Sequence, residues 1–340
     1  MRLFVLVLLA FFASFLAFRR ERFAISEFLF LLSGIIVGMY VKGLETETYK
    51  FFEVFLIGFF GIIYGMSLDI SAVIRSSKRS LQLAFLEFVA GLFYMLVISI
   101  IFHPHNITLN DKIAILTFIM ISASSYFIES LDRERIVASF LLPAILSLVI
   151  GFFTFNYKGF LVLLGTLIIS GLVLKISEDR AEDTTMALSI ILGAAILIPY
   201  IALRYGQSPF LFSFLLGLFL TNLLKSKRLL DLIIKLKEEE RMFFLAFLFM
   251  IGLFTNLSLE AIKIGIVIFL LRLFYKITVS RIVYSTRDVR HFVSQGALSL
   301  VIAMDLFGHG AILKGWGASI VMAYLFNIGV TLSLSVLKSK

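Results

Sequence analysis

Apolar residues run along this chain in blocks of 16 to 27, with charged or turn-forming residues in the breaks between them. Reading the blocks as helices gives thirteen segments, roughly 3–18, 23–41, 51–68, 80–102, 113–130, 136–155, 159–174, 184–203, 208–224, 242–259, 264–280, 291–307 and 311–337. A helix crosses a bilayer in about 20 apolar residues, so the pattern predicts thirteen membrane spans, numbered here 1 to 13. The longest break, KSKRLLDLIIKLKEEER (225–241), has apolar residues at helical spacing between charges and predicts an amphipathic helix on the cytoplasmic membrane surface. No break is long enough for a soluble domain. One block carries two cations: FLLRLFYKITV (269–279) places Arg272 and Lys276 inside span 11. Four residues apart, they stack on one helix face.

Composition agrees with the pattern. Of 340 residues, 60% are hydrophobic and 16% charged, and mean hydropathy is +1.04. A water-soluble chain of this length could not hide that much apolar surface, so the sequence predicts an integral membrane protein. The absence of cysteine excludes disulfides, thiol catalysis and thiolate metal sites. Histidines 103, 105, 291 and 309 lie near span ends with no HExxH pair, so no metal or cofactor is expected. The isoelectric point near 9.6 would suit nucleic acid if the basic residues clustered on a soluble face, but they sit between apolar runs.

Charge also orients the chain. One set of alternate breaks holds 21 Lys and Arg, the opposite set holds 8, and Arg272 and Lys276 complete the 31. That asymmetry is what the positive-inside rule produces, and a wrong number of spans would scramble it. It predicts a multi-pass protein of the cell membrane with its N-terminus outside and its C-terminus in the cytoplasm. Span 1 begins Met-Arg and contains AFFAS, as a signal peptide could. The RRER that follows, and its place in the repeat below, predict that it is retained.

The chain contains an internal echo. SEFLFLLSGIIVG (26–38) matches SPFLFSFLLGLFL (208–220), and GMSLDISAV (65–73) matches GLFTNLSLEAI (252–262). Both pairs are separated by about 180 residues, so spans 1–6 (about 1–155) repeat as spans 8–13 (about 184–337), with span 7 (about 159–174) between them. Span 2 would enter from inside and span 9 from outside, making the repeats inverted. Inverted repeats favour a secondary transporter with its site near the midplane.

Four segments carry a family resemblance. FLIGFFGIIYGMSLDISAVIRSSKRSLQLAFLEF (55–88) is similar to a GLELDL…R segment and the helix after it. GQSPFLFSFLLGLFLTN (206–222) is similar to GLSPALGAFLAGL, FFLAFLFMIGLFTNLSL (243–259) to FFVSVGLSLDL, and SQGALSLVIA (294–303) to SQGGEFALVLA. These motifs belong to the monovalent cation:proton antiporter superfamily, in its sodium/proton exchanger and Kef-type branch, and the chain resembles that family over almost its whole length. The resemblance implies an all-α polytopic fold in a single transmembrane domain, with spans 5 and 12 interrupted near 122–126 and 295–300 and crossing at the midplane. It also implies a homodimer and, as partners, a monovalent cation and a proton.

In that family span 6 supplies an ion- and proton-binding aspartate. Here IVASFLLPAILSLVIGFF (136–153) offers Pro143, Ala144 and Ser147 instead, and the frequent glutamate after QG is Ala297, which marks a divergent member. The candidate transport residues are then Ser122, Ser124, Ser125, Ser147, Arg272, Lys276, Gln295 and Asp305. The three serines of MISASSYF either coordinate a dehydrated cation together with unwound carbonyls or let helices pack closely. Ser147 is either a neutral ligand or a polar core residue. The family's span 11 cation corresponds to Lys276 or Arg272, which either face the crossing, held by helix-end carbonyls or a distant acid, or snorkel to the cytoplasmic edge. Asp305 is a rim acid or a replacement ligand. Glu87 is a core residue or a protonation site, Glu27 and Glu53 are interfacial, and Gly34 and Gly38 serve close packing in the dimer-forming region.

The leading expectation is exchange of sodium or potassium for protons by alternating access, with proton coupling through a group other than a span 6 acid, such as Lys276, or absent. The alternatives are a non-transporting or regulatory paralogue and a transporter of another solute, such as an organic anion that suits unmatched cations. No paired catalytic aspartates, zinc motif or Ser–His arrangement points to an enzyme.

Overall fold

The computed structural model describes residues 23–40, 46–68, 70–71, 78–103, 107–121, 157–179, 184–223, 227–282, 297–307 and 315–338. Within them the chain is all-helical. Eleven helices follow one another: α1 (Phe23–Tyr40), α2 (Thr46–Met66), α3 (Lys78–Ile101), α4 (Leu109–Met120), α5 (Tyr157–Asp179), α6 (Thr184–Arg204), α7 (Pro209–Leu223), α8 (Lys227–Phe254), α9 (Leu259–Ile282), α10 (Ala297–Leu306) and α11 (Trp316–Lys338). The predicted spans 1 and 6 lie outside the described residues.

Among the described residues one helix is long and apolar enough to cross a membrane: α3, over the 20 residues Gln82–Ile101 with mean hydropathy 2.3. Five further apolar stretches, in α1, α5, α6, α7 and α11, are shorter. The outward faces reverse the arrangement of a water-soluble helix. Phe85, Leu92, Phe93, Leu96 and Ile100 of α3 are exposed, as are Phe160, Leu164 and Ile168 of α5 and Ile266, Leu270 and Phe274 of α9. Contiguous apolar faces of this kind mark a surface that meets something other than water.

The predicted surface helix at 225–241 is not a separate element. It runs without a break into the apolar segment after it, forming the 28-residue α8. Nothing in LIIKLKEEERMFFLA stops a helix: the stretch lacks Pro and Gly and is rich in Leu, Lys and Glu, all good helix formers.

The chain divides into two compact units, each drawn from both sequence halves. The first comprises Met1–Tyr49, Phe85–Leu131 and Met242–Lys340; the second comprises Lys50–Ala84 and Asp132–Arg241. In the first, α9 packs along α11, α4 against α9 and α10, and α11 against α1. In the second, α7 packs on α5 and α6, and α5 on α6. Residues 53–66 of α2 are almost all buried. Thr221 and Asn222 of α7 close the end of α2 by donating to the carbonyls of Met66 (2.8 Å) and Leu68 (3.1 Å).

Each unit contains one crossing built on paired glycines. In the first, a Cβ on Gly34 of α1 would strike the Phe249 carbonyl of α8, and one on Gly252 would lie 3.1 Å from the Gly34 Cα. In the second, a Cβ on Gly65 of α2 would strike the Phe214 carbonyl of α7 and lie 3.0 Å from the Gly217 Cα. The residue numbers give the relation between the two. Gly217 follows Gly34 by 183 residues and Gly252 follows Gly65 by 187, close to the spacing of the sequence echo. The two contacts thus join glycines related by that spacing. Gly38 also meets α8, at Leu253, so both glycines of the GxxxG pair are covered from within the same chain.

Candidate functional site

Helix α4 has a well-made start and an abrupt end. Thr108 caps it, its hydroxyl accepting from the Asp111 N–H at 3.2 Å while the Asp111 carboxylate accepts from the Thr108 N–H at 3.1 Å. This capping box satisfies two otherwise orphaned donors. Residues 114–120 are buried, and after only 12 residues the chain turns extended at Ile121 (φ −74°, ψ 125°). The Ile121 N–H makes the last intrahelical bond, to Thr117. Among the described residues no backbone N–H serves the carbonyls of Phe118, Ile119, Met120 and Ile121 as a helix partner, the standing problem of a helix C-terminus. No proline or glycine marks the stop, so the helix end is held from elsewhere.

It is held by Arg272 and Lys276. From α9, the Arg272 Nη1 donates to the carbonyls of Phe118, Ile119 and Ile121, the last two at 3.0 Å, and the Lys276 Nζ donates to Met120. Four orphaned carbonyls thus meet two cations spaced one helical turn apart. The charges suit the negative end of the α4 dipole, and burial strengthens that attraction. Arg272 is 1% exposed and Lys276 0%. The Arg272 guanidinium also lies 5.6 Å from the Phe118 ring, and the Lys276 Nζ 5.1 Å from the Tyr275 ring, both cation–π distances.

The acid that meets these cations comes from α3. Glu87 is 4% exposed, and its Oε1 lies 3.5 Å from the Lys276 Nζ. Next to Lys276, the Tyr275 hydroxyl donates to the Glu87 backbone carbonyl at 3.0 Å, and its ring stands edge-on to Tyr94 with centroids 4.9 Å apart. Tyrosine and lysine together fix α9 against the stretch of α3 that carries the carboxylate. Three helices therefore place two cations, one carboxylate and one open helix end in a site closed to solvent.

Of the candidates named from sequence, Arg272 and Lys276 come together at the α4 terminus. The snorkelling alternative is excluded for both, since each is buried and committed to carbonyls. Asp305 is on α10 and half-buried. Ser122, Ser124, Ser125, Ser147 and Gln295 lie outside the described residues. Among the described residues no cluster of His, Asp and Glu could hold a metal ion.

Two sequence readings change. Glu87, assigned to the core or to protonation, is the partner of Lys276. The separation of 189 residues is close to the spacing of the sequence echo, which was a usable signal for the pair. Glu27 and Glu53, expected at the interface, are buried; the Glu27 carboxylate accepts from the Tyr324 hydroxyl of α11 at 3.2 Å. Neither a family model nor a curated protein matches the chain in sequence.

Proposed function

We propose that the chain is a multi-pass membrane protein of thirteen spans and a secondary transporter of the cation:proton antiporter type. It exchanges sodium or potassium for protons by alternating access and functions as a homodimer. The observation that carries this reading is the α4 terminus: a helix stopped in the interior, its last carbonyls held by Arg272 and Lys276, with Glu87 beside them. Ionisable groups buried among apolar helices are costly and mark ion and proton paths, and broken helices with free carbonyls are where transporters hold cations. The apolar outward faces of α3, α5 and α9 support membrane embedding, and the paired glycine contacts support the inverted repeat.

The geometry supplies a charge-balanced exchange without a span 6 acid. With Lys276 protonated, its ammonium occupies the place between the Met120 carbonyl and the Glu87 carboxylate. A cation entering that place needs the same ligands, and Lys276 can yield them by releasing its proton. One positive charge then replaces another. Ser122, Ser124 and Ser125, which follow Ile121 directly in sequence, are the proposed hydroxyl ligands, with Ser147 and Gln295 as further ones.

Reconstitution in proteoliposomes with an internal pH dye tests this, with sodium, potassium and lithium gradients applied in turn. Exchange by the wild type and a flat pH profile in Lys276→Met are expected. A folded protein that moves none of the three ions would return the chain to the non-transporting reading. A second reading, transport of another solute, is favoured by the unmatched edge of Arg272.

A further inference from the structure

The Arg272 guanidinium is used on one side. Nη1 serves the α4 carbonyls, whereas Nε and Nη2 have no hydrogen-bond partner among the described residues. Buried donors are almost always satisfied, so two orphans on one side chain call for a partner. The two belong to a single edge of the guanidinium. Their N–H bonds run parallel, at the spacing that receives both oxygens of a carboxylate.

The charge count points the same way. Two cations face one carboxylate, and the α4 end contributes about half a negative charge. Among the described residues about half a positive charge is left over, which a monovalent anion offsets more closely than a divalent one. Among the described residues the neighbouring acidic groups are engaged: Glu87 with Lys276, the Tyr275 hydroxyl with the Glu87 carbonyl, and the Tyr324 hydroxyl with Glu27. A carboxylate gives each of the two parallel donors its own oxygen, which a single spherical chloride does not.

We propose that the Nε/Nη2 edge of Arg272 is the seat of a small monocarboxylate anion, bound beside the end of α4. The edge is sealed in this conformation, so the anion enters through an opening of the helices, which the proposal requires whether or not the chain transports.

The test uses the full-length protein in detergent and acetate as probe. Equilibrium dialysis with labelled acetate should show one saturable site per chain, competed by formate and propionate but not by equal chloride. Arg272→Lys keeps the charge and loses the edge, and it should weaken acetate binding at least tenfold. Because Arg272 also holds α4, that variant is compared only if it melts cooperatively. Wild-type protein grown with 15N-guanidinium arginine gives the same answer without a variant. Acetate should shift isotope-sensitive guanidinium infrared bands, and 13C-acetate should show the altered carboxylate stretches of a two-point bond. Absence of saturable binding, binding that leaves the guanidinium bands unmoved, or equal binding by folded Arg272→Lys would each overturn the proposal. Saturable binding with no acetate or cation flux in proteoliposomes upholds the site and counts against transport, so the two readings fail separately.

Discussion

Replacing Lys276 by methionine keeps the length of the side chain and removes three contacts: the ion pair with Glu87, the bond to the Met120 carbonyl and the approach to the Tyr275 ring. At 3.5 Å and an effective dielectric constant of about 20, the Coulomb attraction of the pair is roughly 5 kcal/mol. Desolvation of both charges offsets much of it. The cost of the single change is set by what stays behind, a buried carboxylate without its cation, and breaking such pairs costs about 3–5 kcal/mol. Glu87→Gln leaves Lys276 with Met120 still as acceptor and should cost less, about 1–3 kcal/mol. In the double variant no charge is stranded, so its loss should fall short of the sum by about 2–3 kcal/mol, at the upper end for contacting residues. Unfolding free energies of the four proteins, measured by titrating detergent micelles with SDS, give this coupling directly. A coupling below about 0.5 kcal/mol, the level of independent sites, would refute the claim that Glu87 is the acid that matches Lys276.

Two other predictions concern the framework. Gly34→Val and Gly65→Val should each cost at least the 1–3 kcal/mol typical of an overpacked core, because each added side chain meets backbone. Gly171→Ala, where a Cβ would meet nothing within 4 Å, should be neutral or stabilising by up to about 1 kcal/mol; equal losses at all three would remove the crossing argument. The chain has no native cysteine, so single cysteines can report topology. Those placed at Ser77 and Ser226 should label from the cytoplasm and one at Thr108 from outside, and any of them on the wrong side overturns the span count.

What the sequence made legible followed periodicity and spacing. The all-helical character, most helix positions and the interior placement of Arg272 and Lys276 were readable because apolar runs and intruding charges are local signals. The use of helix-end carbonyls as their partners was foreseen as one of two options, and the structure contains both, the second being Glu87. That pairing was harder to read because it spans 189 residues, and a glutamate two turns into an apolar helix looks the same whether it meets a cation or only fills space. Glu27 and Glu53 were misplaced for a related reason. Proximity to a span end predicts exposure only when no neighbouring helix covers that end, and Tyr324 is 297 residues from Glu27. The 225–241 segment failed as a separate helix because charge pattern marks where a helix leaves hydrocarbon, not where it stops.

The closed end of α4 also sets an order of assembly. Its four carbonyls wait for donors that are made 151 to 156 residues later in the chain. At a synthesis rate of about 5–20 residues per second, the interval is on the order of 10–30 s. During it the growing chain carries an unsealed helix terminus, and an unsatisfied backbone group in hydrocarbon costs several kcal/mol. On the membrane reading proposed above, that favours α4 resting at the membrane surface or within the insertion machinery until α9 emerges. Arg272 and Lys276 then act as a latch: the segment that delivers them is the one that lets an earlier helix take its final depth.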